Sequence, residues 1–156
     1  MASVGIKGVD QLTKKFNNIA NVDLRPAMNQ ATALVHGQAK ELAPVDKGGL
    51  AGSIHMEVKE TGGSIVGRVY TNLEYAAYVE FGTGVTGNGT YPYEVEGLSL
   101  SYRDKGWAYF DEDEGEWIYT KGQVAQPYMY PALHNHEKTI KRLLNEAVRA
   151  QTNDGG

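Results

Sequence analysis

Two long segments of the chain carry apolar residues at three- and four-residue steps, the spacing that places them on one face of an α-helix. The first covers residues 24–42, with Pro26 in its first turn and Pro44 after its end. The second covers residues 131–150, and residues 10–19 show a shorter stripe of the same kind. We therefore predict helices over these three segments.

Other segments alternate apolar and polar residues, which is typical of half-buried strands. Residues 54–58 and 65–71 alternate on either side of a Gly-Gly turn, and residues 106–121 read as a second hairpin of aromatic strands around Gly115. The remaining predictions are short strands over residues 3–7 and 98–102 and a short helix within YAAYVEFGT, residues 75–83.

These elements predict an α+β fold in which a small, mostly antiparallel β-sheet is packed on one face by the two long helices. The long loop 84–105 and the β-hairpin 106–121 extend from it. Long loops are commonly functional or disordered, so we expect both extensions to be contact elements outside the core. We expect a single domain over residues 1–150 and a flexible tail over residues 151–156.

Composition narrows the functional classes. The chain has 156 residues, no cysteine and a formal net charge of −4. The negative balance disfavours a stand-alone nucleic-acid binder, because phosphate binding needs a basic face. No apolar run approaches the roughly 20 residues of a membrane span, and the first residues lack the apolar stretch of a signal peptide. We expect a soluble product made in the cytoplasm, with no membrane partner. Ten tyrosines favour contact surfaces.

One carboxylate stands out, because Glu80 lies among the aromatic residues Tyr75, Tyr78 and Phe81. It is either an acid in a catalytic pocket or a structural anchor. No neighbouring motif supplies an acid, base or nucleophile, which favours the anchor. An isolated buried carboxylate costs several kcal/mol, so we expect Glu80 to be hydrogen-bonded, either capping a backbone or pairing with a basic group.

Two other patterns suggest metal sites and are better explained otherwise. The run from Asp111 to Glu116 departs from a calcium loop, because Gly115 comes one position early and the twelfth position is Gly122. A solvated hairpin tip explains it better. His134 and His136 lie two residues apart in a predicted helix, so they point to different faces. The chain also lacks G-x-S-x-G, Walker and G-x-G-x-x-G motifs. We therefore assign no catalytic residue, metal or cofactor.

Four segments in order resemble the head–tail joining family of long-tailed bacteriophages, also called neck, head–tail connector or tail-completion proteins. The segments are ELAPVDKGGLAGSI (41–54), YAAYVEFGT (75–83), GWAYFDEDEGEWIYTKGQ (106–123) and AQPYMYPAL (125–133). That family typically reads A-P-V-D-T-G-x-L-R-x-S-I, then Y-A-x-x-V-E-x-G-T, a Trp/Tyr hairpin with T-x-G-Q, and Q-P-F-hydrophobic-x-P-A. The departures are Lys47, Gly49, Ala51 and Tyr128.

The resemblance implies a structural protein of the virion and not an enzyme. Such proteins usually form a ring, often a hexamer, at the head–tail junction, and genomic DNA passes through it. The implied partners are further copies of the chain, head-completion or portal-side proteins, and the tail tube or tail terminator. A tail-terminator ring capping the tail tube is an alternative. A small enzyme that uses Glu80 and the acidic cluster is a weaker one.

The contact surfaces of such a ring are expected in the Tyr-rich segments. The candidate contact residues are Tyr75, Tyr78, Glu80, Phe81, Tyr91, Tyr93, Trp107, Tyr109, Trp117, Tyr119, Gln126, Pro127, Tyr128 and Tyr130. The acidic turn, Asp111, Glu112, Asp113, Glu114 and Glu116, is expected to face the lumen or the outer rim, since like charges so close together favour water.

Overall fold

The computed structural model describes residue 17, residues 20–45 and residues 49–153. The helices are α1 (Arg25–Leu42), α2 (Ala76–Phe81), α3 (Gly84–Gly87) and α4 (Met129–Asn153), with a 3-10 turn at Ala51–Ser53. The strands are β1 (His55–Thr61), β2 (Ser64–Tyr70), β3 (Trp107–Asp111) and β4 (Glu116–Thr120). Among these residues β1 pairs with β2 and β3 with β4, in two separate hairpins. The predicted α+β class, with small antiparallel sheets and two long helices, is confirmed.

Several boundaries differ from the prediction. The last helix begins at Met129 and continues to Asn153, so the first residues of the predicted tail are helical. The predicted strand over residues 98–102 does not form. Alternation there has no neighbouring described strand to pair with, and Tyr102 instead donates its hydroxyl to the carbonyl oxygen of Phe81 at 2.8 Å. The predicted strand 3–7 and most of the predicted helix 10–19 lie outside the described residues.

Contacts divide the described chain into two compact units. The first comprises residues 20–34, 56–68 and 135–153, and the second comprises residues 35–45, 49–55 and 69–134. The single domain expected over residues 1–150 stays a prediction.

In the first unit, the backbone of β2 lies against α1 at Gly67. A Cβ atom there would stand 2.1 Å from the hydroxyl oxygen of Thr32, so only glycine permits this approach. Thr32 is buried and donates its hydroxyl to the carbonyl oxygen of Met28 at 2.7 Å. Gln151 is hydrogen-bonded twice to the backbone of Asp23, through its side-chain oxygen and its side-chain nitrogen.

The second unit holds most of the fully buried apolar residues. Val35 and Ala39 lie on the buried face of α1, and Ala43, just after its end, continues the same four-residue step. Leu50 and Tyr128 are the largest side chains that are completely enclosed. Further buried residues are Ile54, Ala76, Val79 and Ala132. This core surrounds the start of α4 and one face of α2, which is where the candidate site lies.

Candidate functional site

Helix α2 places Glu80 on its buried side. Ala76, Val79 and Glu80 are the buried residues of this six-residue helix, and their three- and four-residue spacing puts them on one face. The helix ends because Gly82 adopts a φ of +76°, with its N–H donating to the carbonyl oxygen of Tyr78 at 3.0 Å. Glu80 is only 5% exposed.

The Glu80 carboxylate caps the first turn of α4. Its Oε2 accepts the backbone N–H groups of Tyr128 at 2.8 Å and Met129 at 2.9 Å. Its Oε1 accepts the N–H of Tyr130 at 3.1 Å and the hydroxyl of Tyr91 at 3.4 Å. The first N–H groups of a helix have no partner within the helix, and Pro131 at the next position has no N–H to satisfy. One side chain thus accepts the otherwise unpaired N–H groups at the start of α4. We call these contacts the carboxylate cap.

The expectation that Glu80 is a hydrogen-bonded structural anchor is therefore confirmed. A carboxylate at this position is also favoured by the partial positive charge at the N-terminus of a helix. The proposal that Glu80 and Tyr128 are surface contacts needs correction, because they are 5% and 1% exposed in the chain itself. Their role is to hold the elements that carry the exposed residues.

Burial and the charge of Glu80 raise the pKa values of two tyrosines. Burial, and then the nearby carboxylate of Glu80, raise the pKa of Tyr91 well above its usual range. Burial, followed by the same carboxylate, raises the pKa of Tyr128 to about 12. Both phenols therefore stay protonated at neutral pH, and the Tyr91 hydroxyl remains a donor to Glu80.

Two backbone segments cross beside the cap, and glycine makes the crossing possible. Thr83 donates its N–H to the carbonyl oxygen of Gln123 at 2.9 Å, and Gln123 donates its own N–H to the carbonyl oxygen of Thr83 at 3.2 Å. A Cβ atom on Gly122 would lie 1.9 Å from the carbonyl oxygen of Thr83, and Gly122 has a φ of +99°. A Cβ atom on Gly84 would lie 2.4 Å from the carbonyl oxygen of Lys121. We call residues 82–87 and 121–123 the glycine crossing.

The first part of the predicted loop is built into this core. Gly84 and Gly87 are buried, and the hydroxyl of Thr90 accepts the N–H of Ala125 at 2.8 Å. The expectation that residues 84–105 lie outside the core is wrong for this part. The glycines that suggested a flexible loop are there because the backbones approach so closely.

A row of aromatic rings continues from α2 to α4. Tyr91 lies 5.0 Å from Phe81 and 5.6 Å from Tyr93 between ring centroids. Tyr93 lies 4.8 Å from Tyr130, whose ring stacks on His134 at 5.6 Å and 15°. Such pairs stabilise by about 0.5–1.5 kcal/mol each beyond the area they bury. This row fixes residues 91–93 against the first turn of α4.

Four of the remaining aromatic candidates lie around a groove of about 890 Å³ in the second unit. Tyr75 and Tyr78 from α2 line one part of it, and Trp107 and Tyr109 from β3 line another. Tyr78 is 58% exposed and Tyr109 is 43% exposed. Arg103 also lines the groove, with its guanidinium carbon 5.4 Å from the centre of the Trp107 ring. We call this the aromatic groove.

The hairpin β3–β4 has one face towards this groove and a second face that is exposed. Trp107 pairs with Thr120, and both line the groove together with Tyr109. Ile118, the partner of Tyr109, lies on the same side of the sheet. The alternate pairs, Ala108 with Tyr119 and Phe110 with Trp117, lie on the other side of the sheet. Trp117 is 72% exposed and Tyr119 is 65% exposed. We call Ala108, Phe110, Trp117 and Tyr119 the outer face.

The acidic turn at the end of the hairpin is held by its own first residue. One carboxylate oxygen of Asp111 accepts the N–H groups of Asp113 at 3.0 Å and Glu114 at 3.1 Å. Gly115 adopts a φ of +70° and its N–H donates to the carbonyl oxygen of Asp111 at 2.8 Å. Glu112, Asp113, Glu114 and Glu116 are exposed.

Over residues 17, 20–45 and 49–153, no three His, Asp or Glu side chains are grouped as a metal site would require. Within the same ranges, no helix combines the length and the apolar character needed to span a membrane.

The sequence analysis identified most of the aromatic residues but missed the groups that organise them. Gly82, Gly84 and Gly122 are decisive, yet a glycine-rich segment by itself also predicts a flexible loop. Arg103 and Phe110 were not singled out either, and His134 was considered only as a metal ligand. Gln126 is exposed and Pro127 is half-buried. The backbone N–H of Gln126 donates to the carbonyl oxygen of Val79 at 2.8 Å. The contact roles of the exposed residues stay predictions.

Comparison with known proteins gives one family. Residues 8–82 match the family described as "Bacteriophage HK97-gp10, putative tail-component". No curated protein and no solved structure matches the chain significantly. The match ends at Gly82, just after Glu80, whereas the backbone partners of Glu80 lie at residues 128–130. The resemblance to a phage structural family, predicted from the sequence, is confirmed for the matched residues.

Proposed function

We propose that the protein is a neck or tail-completion protein of a long-tailed phage, because residues 8–82 match a bacteriophage tail-component family. It forms a ring at the junction between head and tail, and the genomic DNA passes through the ring. The family match supports a structural role in the phage, and the finer placement at the junction is our proposal. The ring's neighbours are portal-side proteins of the head and the tail tube or its terminator.

The observation that carries this proposal is the exposed aromatic surface of the second unit. Tyr78, Trp117 and Tyr119 are each more than half exposed. Isolated apolar residues are common on protein surfaces, but a concentration of exposed aromatic rings is typical of contact surfaces. These rings are carried by elements that the carboxylate cap and the glycine crossing hold in place, so the surface is preformed.

Charge adds a second argument for a channel. The formal net charge is −4, so the chain is acidic overall. A wall of negative charge repels the phosphate backbone, so DNA slides past it and does not bind. A ring through which a genome must pass during ejection needs this property.

The geometry of Glu80 weakens the enzyme alternative. Four donors surround its two oxygens, three of them backbone N–H groups. A general acid or base must reach a substrate proton, and this carboxylate is 5% exposed. Its geometry suits a cap.

Phage particles lacking this protein test the proposal. We expect DNA-filled heads and separate tails of normal length, which join when the purified protein is added back. Electron microscopy of the repaired neck should show density for a ring of this protein at the junction. Tails of abnormal length would favour a terminator, because an uncapped tube continues to polymerise. Normal, infectious particles would overturn both assignments.

A further inference from the structure

The two faces of the hairpin differ in a way that suggests how copies of the chain meet. Residues on the two sides of a β-ribbon point in opposite directions. Tyr109 and Trp107 belong to the aromatic groove, whereas Phe110, Trp117 and Tyr119 form the outer face. Each copy thus carries two different aromatic surfaces, back to back on one hairpin.

The two ends of the hairpin carry opposite charges. The acidic turn, with five carboxylates, forms the tip beyond both faces, and the pairing of Asp111 with Glu116 places these two residues on the groove side of the strands. The groove has Arg103 in its lining, and the exposed Lys121 lies between the lining residues Thr120 and Gly122. None of the ion pairs found within the described residues uses Arg103 or Lys121. Arg103 and Lys121 lie at the base of the hairpin, beside the pair Trp107 and Thr120, so the acidic tip of one copy and the basic base of another are electrostatically complementary.

We propose that the occupant of the aromatic groove is the outer face of the hairpin of a second copy of this chain. Trp117 enters beside Tyr78 and Tyr109, and the acidic turn of the entering copy lies near Arg103 and Lys121. This inference rests on the proposed ring and specifies the contact that closes it.

The back-to-back arrangement requires a head-to-tail contact. A two-fold dimer would place like surfaces together, outer face on outer face or groove on groove, and would leave the unlike surface of each copy unused. A head-to-tail contact leaves one outer face and one groove free at the ends, so addition continues until a ring closes. Aromatic side chains bury on the order of 150–250 Å² each, so the three partly exposed rings of the outer face supply about half of the roughly 800 Å² per partner of a standard interface.

Disulfide trapping tests the contact against a clean background, because the chain has no cysteine. The Ala108→Cys variant places a thiol on the outer face and the Ser101→Cys variant places one in the groove lining, and both keep the aromatic rings. The two full-length variants are purified separately, mixed and oxidised, and we expect a disulfide-linked heterodimer, identified by peptide mass mapping. Ala108→Cys mixed with Leu133→Cys is the control, since Leu133 is 51% exposed but lies on α4 outside both surfaces. Equal cross-linking with the control overturns the proposed contact.

A mixing experiment tests the head-to-tail order. Trp117→Ala damages only the outer face and Arg103→Glu damages only the groove. Each variant alone should assemble at least about thirty-fold more weakly than the wild type in sedimentation, the factor for losing a central aromatic contact of about 2 kcal/mol. Mixed together, they should stop at heterodimers, because one intact pair of surfaces remains. Lys138→Glu, an exposed change on α4, should assemble normally. Larger assemblies in the mixture would contradict a single contact type.

The outcomes separate this contact from the ring itself. If the wild type assembles and both Trp117→Ala and Arg103→Glu assemble equally well, the ring survives and this contact is wrong. If the wild type stays monomeric at every accessible concentration, a second copy is not the occupant, and the ring assignment is then decided by the particle experiment alone. Circular dichroism of each variant confirms that it is folded.

Discussion

Glu80 and the acidic turn show the same chemical group in two opposite settings. Glu80 is 5% exposed and its oxygens are surrounded by four donors. In the turn only Asp111 is used by the backbone, and the other carboxylates face solvent. A buried charge must be compensated by hydrogen bonds, and those bonds then hold the surrounding elements together. A charge in water adds little to stability and instead attracts or repels binding partners.

The largest expected effect is the loss of the buried carboxylate. Glu80→Ala leaves three backbone N–H groups of the first turn of α4 without acceptors, each costing about 1–3 kcal/mol. We expect the free energy of unfolding, measured by urea denaturation, to fall by about 4 kcal/mol or more. Glu80→Gln keeps one oxygen acceptor, so its free energy of unfolding should lie between those of the wild type and Glu80→Ala. Glu114→Ala, its exposed counterpart, should change stability by less than about 0.5 kcal/mol. Equal effects at both positions would refute the comparison.

The two regions also differ in what their glycines do. Gly122→Ala would put a Cβ atom 1.9 Å from the carbonyl oxygen of Thr83, in a backbone conformation that side chains rarely adopt. We expect a loss of about 3 kcal/mol in the free energy of unfolding. Gly115 also has a positive φ, +70°, but nothing lies within 4 Å of a Cβ atom there. Gly115→Ala should therefore cost only about 1 kcal/mol. A smaller loss at Gly122 than at Gly115 would show that the crossing is not rigid.

The sequence predicted the parts of this arrangement that depend on local spacing. The stripes of α1 and α4 follow from three- and four-residue steps, and both hairpins follow from alternation and glycine turns. It could not identify the partners of Glu80 at residues 128–130, because nothing local links positions 48 to 50 residues apart. Residues 98–102 were predicted to form a strand and do not, because alternating residues form a strand only where another strand lies alongside.

Glycine is the least predictable part of the site. The same residue type forms an open turn at Gly115 and a close backbone contact at Gly122, and its local sequence does not separate the two. Only the resemblance to a motif containing T-x-G-Q drew attention to residues 120–123. The groups that shape the groove, Arg103 among them, were missed because their role depends on contacts made by the fold.

An alkaline titration probes the buried region alone. The pKa of Tyr128 is raised to about 12, and that of Tyr91 is raised as well, so folding favours their protonated forms. Their contribution is complete below the ordinary tyrosine pKa of about 10 and is lost as the pH rises through the folded values. Above about pH 10 the free energy of unfolding should therefore fall as the pH rises, and the contribution of Tyr128 should be lost by about pH 12.

The measurement for this titration compares urea denaturation of the wild type and Tyr128→Phe from pH 8 to pH 11.5. The hydroxyl of Tyr128 makes only a 3.4 Å contact with the carbonyl oxygen of Ala76, so the variant should resemble the wild type at pH 8. Its stability should then fall less steeply above pH 10. Tyr119→Phe is the control, since Tyr119 is 65% exposed. Parallel curves for wild type and Tyr128→Phe would contradict the assigned environment.

The smallest effect on stability is expected at the acidic turn, where the change should appear in binding instead. Replacing Glu112, Asp113 and Glu114 by lysine, with Asp111 kept because its carboxylate holds the turn, removes repulsion between like charges and should alter the free energy of unfolding by at most about 0.5 kcal/mol. If the turn faces the lumen, the variant ring presents a positive collar, binds DNA in a salt-dependent way and delays ejection while assembly survives. If the turn faces the outer rim, infectivity stays unchanged.

The proposed contact between copies makes a third, different prediction: the variant assembles poorly, and adding Arg103→Glu and Lys121→Glu to the same chain restores assembly by reversing both charges. Restoration by these two changes, and not by glutamates at Lys138 and Lys141 on α4, would place the acidic turn against the groove of a neighbouring copy, where its carboxylates are again compensated.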